Sequence, residues 1–156
     1  MKKAVALFLV AVVVLSFAGC RKASDEDRVR RVVTGIQAAG EKKDIRAFMS
    51  FISKDYHDPR GFNHEAIRAL VFGYFLRFPK ISVYIGHCAI TVEADTAKAI
   101  VHSVLTSGEK TGKLSDIVPQ SLGAWDFDIT LKKEGSDWKV TSAAWKEAEF
   151  LMPDET

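Results

Sequence analysis

Four side chains in this sequence have the chemistry to move or donate protons within a folded domain: His87, His102, Tyr74 and Tyr84. An imidazole that titrates near neutrality serves as a general base, and a buried phenol donates a hydrogen bond to an oxygen gaining charge. Both histidines lie in stretches where polar and apolar residues alternate, as in strands. By alternation His87 shares a face with Ile81, Val83 and Ile85, and His102 shares one with Ile100 and Val104. Gly86 sits directly before His87, and a bulge there inverts the phase. Either face therefore remains open to His87. Asp126 and Asp128 alternate against Trp125, Phe127, Ile129 and Leu131, which puts the two carboxylates on the solvent side. There is no phosphate loop, no zincin helix and no Gly-x-Ser-x-Gly elbow. The two cysteines, Cys20 and Cys88, and the four histidines do not fall at zinc-site spacings. No metal and no cofactor is expected.

The elements that must hold these residues follow from spacing. Ser24 followed by Asp25, Glu26 and Asp27 reads as a capped helix start with negative charge on the first turn. Val29, Val32, Val33 and Ile36 form its apolar stripe, and Gly40 ends it. A second helix is expected from Asp44 to Ile52. The polar turn 53–61 contains Pro59 and Gly61, and Asn63 caps a third helix reaching about Phe78. That helix is apolar nearly all round, so it is expected to be wrapped by other elements or to line a cavity. From Ile81 the period changes to two. Strands are expected at Ile81–Glu93, Ala97–Ser107, Gly123–Glu134 and Trp138–Glu147, with tight turns at 93–96 and 134–137. The polar stretch 108–122 reads as a long loop. Helices followed by an antiparallel sheet is an α+β layout.

The N-terminus carries different chemistry. Met1-Lys2-Lys3 precedes an apolar run from Ala4 to Phe17 that only Ser16 interrupts, and then Ala18-Gly19-Cys20. The run is short for a bilayer span, which wants roughly 20 apolar residues. The layout is that of an export signal. It resembles a bacterial lipoprotein signal, matching the lipobox at Ala18, Gly19 and Cys20 and departing at Phe17, where Leu is usual. The resemblance implies cleavage before Cys20 and acylation of its thiol and amine, which makes the lipid bilayer a partner. The expected parts are a signal peptide over 1–19, the lipidated Cys20 with a tether over 20–23, a domain over 24–150 and a tail over 151–156. Arg21 follows the cysteine where some bacteria place an aspartate retention signal, so an outer-membrane anchor facing the periplasm is expected. Cys88 is left without a disulfide partner. Loss of Lys2 and Lys3 lowers the basic count from 22 to 20, equal to the 20 acidic residues. That balance argues against a nucleic-acid partner, which needs a basic footprint.

The order helix, short helix, Asp55-Tyr56-His57-Asp58, helix, hairpin-linked strands resembles the nuclear transport factor 2-like superfamily, to which the SnoaL-type cyclases and ketosteroid isomerases belong. Ala94-Asp95-Thr96-Ala97 and Asp137-Trp138-Lys139-Val140 add to the match. The resemblance implies a cone of three N-terminal helices packed on a curved antiparallel sheet of about four strands, often dimeric through the sheet. It places Tyr56, His57 and Asp58 at the cone's mouth, with Tyr56 and Asp58 bracing the turn. Two functions are expected to compete. One is a membrane-anchored, non-catalytic domain that binds an apolar small molecule or a protein partner in a cone lined by Phe48, Phe72, Phe75, Leu76, Trp125 and Phe127. The other is a small isomerase, dehydratase or cyclase using His87 or His102 as base and Tyr74 or Tyr84 as donor. A homodimer without ligand overlaps the first.

Overall fold

The computed structural model describes residues 23–109 and 121–148. The expected signal peptide and tether up to residue 22, Cys20 included, most of the 108–122 stretch and the tail lie outside these residues. Helix α1 spans Asp25–Glu41, α2 spans Ile45–Ser50 and α3 spans His64–Arg77. Strands β1 (Ser82–Glu93), β2 (Thr96–Thr106), β3 (Ser121–Glu134) and β4 (Asp137–Ala148) follow in chain order. They form one antiparallel sheet in the order β1-β2-β3-β4. The layout is the expected α+β one.

The helix starts are set by side chains. Ser24 Oγ accepts from Asp27 N at 3.1 Å, and Asp27 Oδ2 accepts from Ser24 N at 3.1 Å. This capping box satisfies two amides that a helix start leaves free. Asp44 caps α2 through Ala47 N, and Asn63 caps α3 through Ala66 N, each at 2.9 Å. Helix α1 runs one residue past Gly40. Helix α2 stops at Ser50, because the chain beyond it turns to pair with β4 instead. Phe51 O accepts from Val140 N, and Val140 O accepts from Ser53 N, both at 2.9 Å.

The core is one buried cluster. Val29, Val32 and Val33 of α1 join Ala97, Ala99 and Val101 of β2, Leu131 of β3, and Trp138 and Val140 of β4. Alternation puts these strand residues on the helix-facing side. Three register shifts bend the sheet. They fall between Ile85 and His87 where β1 pairs β2, between Leu105 and Thr106 where β2 pairs β3, and between Thr130 and Leu131 where β3 pairs β4. The first is the bulge that Gly86 foretells.

The exposed edge of β1 is dressed by α1. Gln37 Nε2 donates to Val83 O at 2.8 Å, and Glu41 Oε1 accepts from Val83 N at 3.0 Å. These residues are one turn apart, so a single helix face satisfies both main-chain groups of an edge residue.

Helices α1 and α2 meet at Gly35. A side chain there would run into the Phe51 ring, just past the end of α2. Gly35→Ala is therefore expected to cost about 1–3 kcal/mol by overpacking, despite the better helix propensity of alanine. In the β1–β2 turn Ala94 holds φ 51°, where Gly135 of the β3–β4 turn holds φ 63°. Left-handed backbone costs an L-residue roughly 1–2 kcal/mol. Ala94→Gly is expected to stabilise by up to about 1 kcal/mol, net of unfolded-chain entropy. Urea midpoints of the two variants should move in opposite directions.

Candidate functional site

An open groove of about 340 Å³ runs between α1 and β1. Val33, Val83, Ile85 and Cys88 supply apolar lining, and Arg30, Thr34 and Gln37 line it from α1 with Tyr84 opposite. The polar side comes from helical spacing, because residues 30, 34 and 37 fall on one flank of α1 beside the valine stripe. Arg30 reaches across it, donating from Nη1 to Cys88 O at 3.5 Å, while Nη2 pairs with Glu26 Oε1 at 3.1 Å. Gln37 is spent on Val83 O, as above. The arrangement suits an apolar body with a polar end near Arg30. It offers no carboxylate or imidazole to a bound molecule.

The helix-facing side of the sheet is largely apolar as well. By register and burial its side chains are Ile85, Cys88, Ile90 and Val92 on β1; Ala97, Ala99, Val101 and Ser103 on β2; Trp125, Phe127, Ile129 and Leu131 on β3; and Trp138, Val140, Ala143 and Trp145 on β4. Two charged residues share this side by register: Lys133, opposite Trp138 and paired with Asp25 of α1, and Glu147, opposite Trp125 near the end of β4.

Both candidate bases lie on the other side. The bulge sets His87 opposite His102, and His102 opposite Asp126. His102 Nδ1 lies 2.7 Å from Asp126 Oδ1. Lys146 of β4 comes within 4.0 Å of Asp126 Oδ2. This polar row crosses the convex face, on the opposite side from the helix-facing core. Neither His87 nor His102 therefore faces the helix side of the sheet. Asp126 and Asp128 share that face, and Asp128 pairs with Lys98 at 2.9 Å. Among the described residues no group of three or more His, Cys, Asp or Glu converges as a metal site.

The tyrosines separate. Tyr84 lines the groove, while Tyr74 is 46% exposed and stacks on Phe78 at 6.0 Å. The six aromatic and aliphatic residues expected to line a cone also part company, and none lines the groove. Phe72 is 48% and Leu76 is 72% exposed, on the outward side of α3. Phe75 is buried edge-to-face on Phe48 at 6.4 Å. Phe127 packs against the core, and Trp125 stands by register beside Ser103. Helix α3 is thus wrapped on one side only. The groove was not expected from the sequence; the polar flank of residues 30, 34 and 37 beside the valine stripe is the signal that could have found it.

The mouth is braced by a buried clasp. Tyr56 Oη donates to Asp58 Oδ2 at 3.0 Å, and Asp58 Oδ1 accepts from the amides of Arg60 at 2.9 Å and Phe62 at 3.0 Å. Arg60 lies over the Trp145 ring at 4.4 Å and donates to Trp145 O at 2.7 Å. Phe62 stacks on Trp145 at 6.2 Å. His57 N donates to Thr141 O at 3.0 Å. The turn is therefore fixed to β4, while the Asp55 and His57 side chains within it are exposed.

Many solved structures share this architecture. The fold is NTF2-like. An NTF2-like protein of unknown function from Pseudomonas putida KT2440 superposes with a TM-score of 0.65 at 16% identity, over 83% of this chain and 96% of that one. A putative dehydratase of the NTF2-like family from Streptomyces avermitilis gives 0.64 at 12% identity, over 80% and 96%. Bd1075 of Bdellovibrio bacteriovorus gives 0.64 at 16% identity; the match covers 79% of this chain and 40% of that longer one. No protein-family model matches the chain, and no curated protein matches it.

Burial, then the hydrogen bond to Asp58, pushes the Tyr56 phenol well above its ordinary value of 10.0. The folded state thus keeps a proton that the unfolded chain releases above that pH. The stability from this group is full below pH 10 and falls as pH rises beyond it. Tyr56→Phe is expected to cost about 1–3 kcal/mol at neutral pH, by depriving a buried carboxylate of a donor. The gap between the two proteins should narrow above pH 10 in urea titrations.

Proposed function

We propose that this chain is a membrane-anchored envelope lipoprotein whose NTF2-like domain binds without catalysis, taking an apolar small molecule in the groove between α1 and β1. One observation carries the binding reading. On the helix-facing side of the sheet the described charged side chains are Lys133, paired with Asp25 of α1, and Glu147 at the strand end, while the groove beside α1 combines an apolar lining with one guanidinium and no carboxylate or imidazole. An enzyme that isomerises or dehydrates needs a base within reach of its substrate. The likeness to a putative dehydratase at 12% identity extends to the fold, and a shared fold hosts unrelated chemistries.

The anchor reading is supported by Ala18-Gly19-Cys20 after a charged and apolar leader. The tether is short. From Cys20 to the cap at Ser24 the chain reaches roughly 13 Å when extended. Such a domain stays against the bilayer and meets ligands that partition there.

Native mass spectrometry of the protein, extracted gently from its membrane, tests both parts. Cleavage before Cys20 with acyl mass on that residue is expected, and Cys20→Ser should abolish the acyl mass. An apolar molecule released on denaturation is also expected. Its presence should slow alkylation of Cys88 about tenfold, and Thr34→Trp, at an exposed position of the groove lining, should displace the molecule. A chain that releases nothing, with Cys88 alkylated at the same rate before and after denaturing extraction and refolding, would reject the binding reading while leaving the anchor intact.

A further inference from the structure

Helix α3 has two apolar sides, and the domain uses one. Ile67 and Phe75 are buried, and Leu70 and Val71 pack on the core. On the opposite side, Ala69, Phe72, Gly73 and Leu76 recur three or four residues apart and all are exposed. They make a continuous stripe over the C-terminal half of the helix. Exposed cations frame it: Arg68 on the N-terminal side, Arg77 over the Phe78 ring at 5.4 Å, and Lys80, which pairs with Glu109. Glu65 is the single acidic residue of α3.

We infer that this stripe rests on the surface of an anionic bilayer and fixes the orientation of the anchored domain. The inference rests on the lipoprotein reading above for its proximity to membrane. An apolar strip flanked by Arg and Lys is the pattern of a helix lying in the headgroup boundary. The cations gain from anionic headgroups. A second copy fits less well. A two-fold contact through the stripe would bring Arg68 and Arg77 toward their own counterparts. One helix side also offers far less than the roughly 800 Å² per partner of a stable interface.

The stripe is too small to hold a free protein on a membrane, but a tether changes the arithmetic. A short tether raises the local concentration of a second contact to about the millimolar range, so a weak contact becomes occupied. The geometry allows it. Lys43, just beyond α1, donates from Nζ to Phe78 O at 2.9 Å and to Pro79 O at 3.2 Å. The end of α3 is thereby pinned near the end of α1. The tether joins at the start of α1, about 25 Å away along a 17-residue helix. Two contacts that far apart fix an orientation that one tether leaves free.

The test uses the full chain, with Cys88→Ala and Leu76→Cys carrying an environment-sensitive fluorophore, in vesicles of phosphatidylcholine alone or with 30% phosphatidylglycerol. With phosphatidylglycerol, a blue shift and quenching by spin-labelled lipid are expected at position 76. A label at Thr91→Cys on the convex face should show neither. Arg68→Glu with Arg77→Glu should lower the bound fraction at position 76 about tenfold or more, with the circular dichroism unchanged. A water-like label in vesicle-bound protein overturns the inference. So does a blue shift that grows with protein concentration without lipid, which would assign the stripe to a second copy. The mass of Cys20, measured on the same sample and on the Cys88→Ala parent, reports the anchor separately. An unmodified Cys20 would reject the anchor reading, and the label in excess vesicles would still decide whether the stripe binds lipid.

Discussion

The fold depends on how deeply α1 sinks into the curved sheet. Its valines at 29, 32 and 33 share one buried core with the small side chains of β2, Ala97 and Ala99, and with Leu131. Val29, Ala99 and Leu131 have no solvent contact. Short side chains on a central strand leave volume above the sheet, and close packing demands that something fill it. Here a helix fills it. The interior that would otherwise hold a ligand is taken by Val29 and Val32, and open space is displaced to the flank of α1 along β1. This is why the groove is lined by Val33 and Ile85 and by none of the six residues expected to line a cone. It also explains why β1 needs Gln37 and Glu41 at its edge. A strand left at the border of the sheet has main-chain groups that the helix must satisfy.

Much of the architecture was legible in the sequence, because the signals were local. Ser24, Asp44 and Asn63 are caps whose chemistry is complete within three residues. The turns at 94–95 and 135–136 are likewise bounded by their own residues. Asp55-Tyr56-His57-Asp58 was readable as a brace because a phenol and a carboxylate two apart can meet across a tight turn. What stayed hidden was facing. Helix α3 is apolar on both sides, so periodicity cannot say which side packs; Phe75 went in, while Phe72 and Leu76 stayed out. The histidines were hidden for a related reason. Strict alternation would put His87 with Ile85, toward the helices. The bulge after Ile85 spends one residue, and both histidines end on the convex face with Asp126. A single residue of register decides whether an imidazole is a candidate base or part of a surface ion pair.

The start of α1 is tied more firmly than a helix terminus usually is. Asp25 Oδ1 accepts from Trp138 Nε1 at 3.2 Å, and Lys133 Nζ lies 3.2 Å from Asp25 Oδ2. The Trp138 hydrogen bond, then the Lys133 contact, hold the Asp25 carboxyl below its ordinary range. Trp138 itself belongs to the core. The first turn of the helix is therefore fastened to the β3–β4 hairpin through one carboxylate.

That fastening bears on the proposed anchor. A load applied at the tether would reach Ser24, whose capping box resists fraying, and pass through Asp25 to a hairpin paired along its length with β2. The domain would then follow the bilayer as a rigid body, not as a helix unravelling from its first turn. In that proposal, rigidity at this junction would let a short tether restrict position, and a restricted position would let the apolar stripe of α3 set orientation. Groove and stripe need not compete. The groove lies between α1 and β1, while the stripe faces outward from α3, the helix whose inner side packs through Phe75 on Phe48. A domain lying on α3 would keep its β1 flank clear of the helix it rests on.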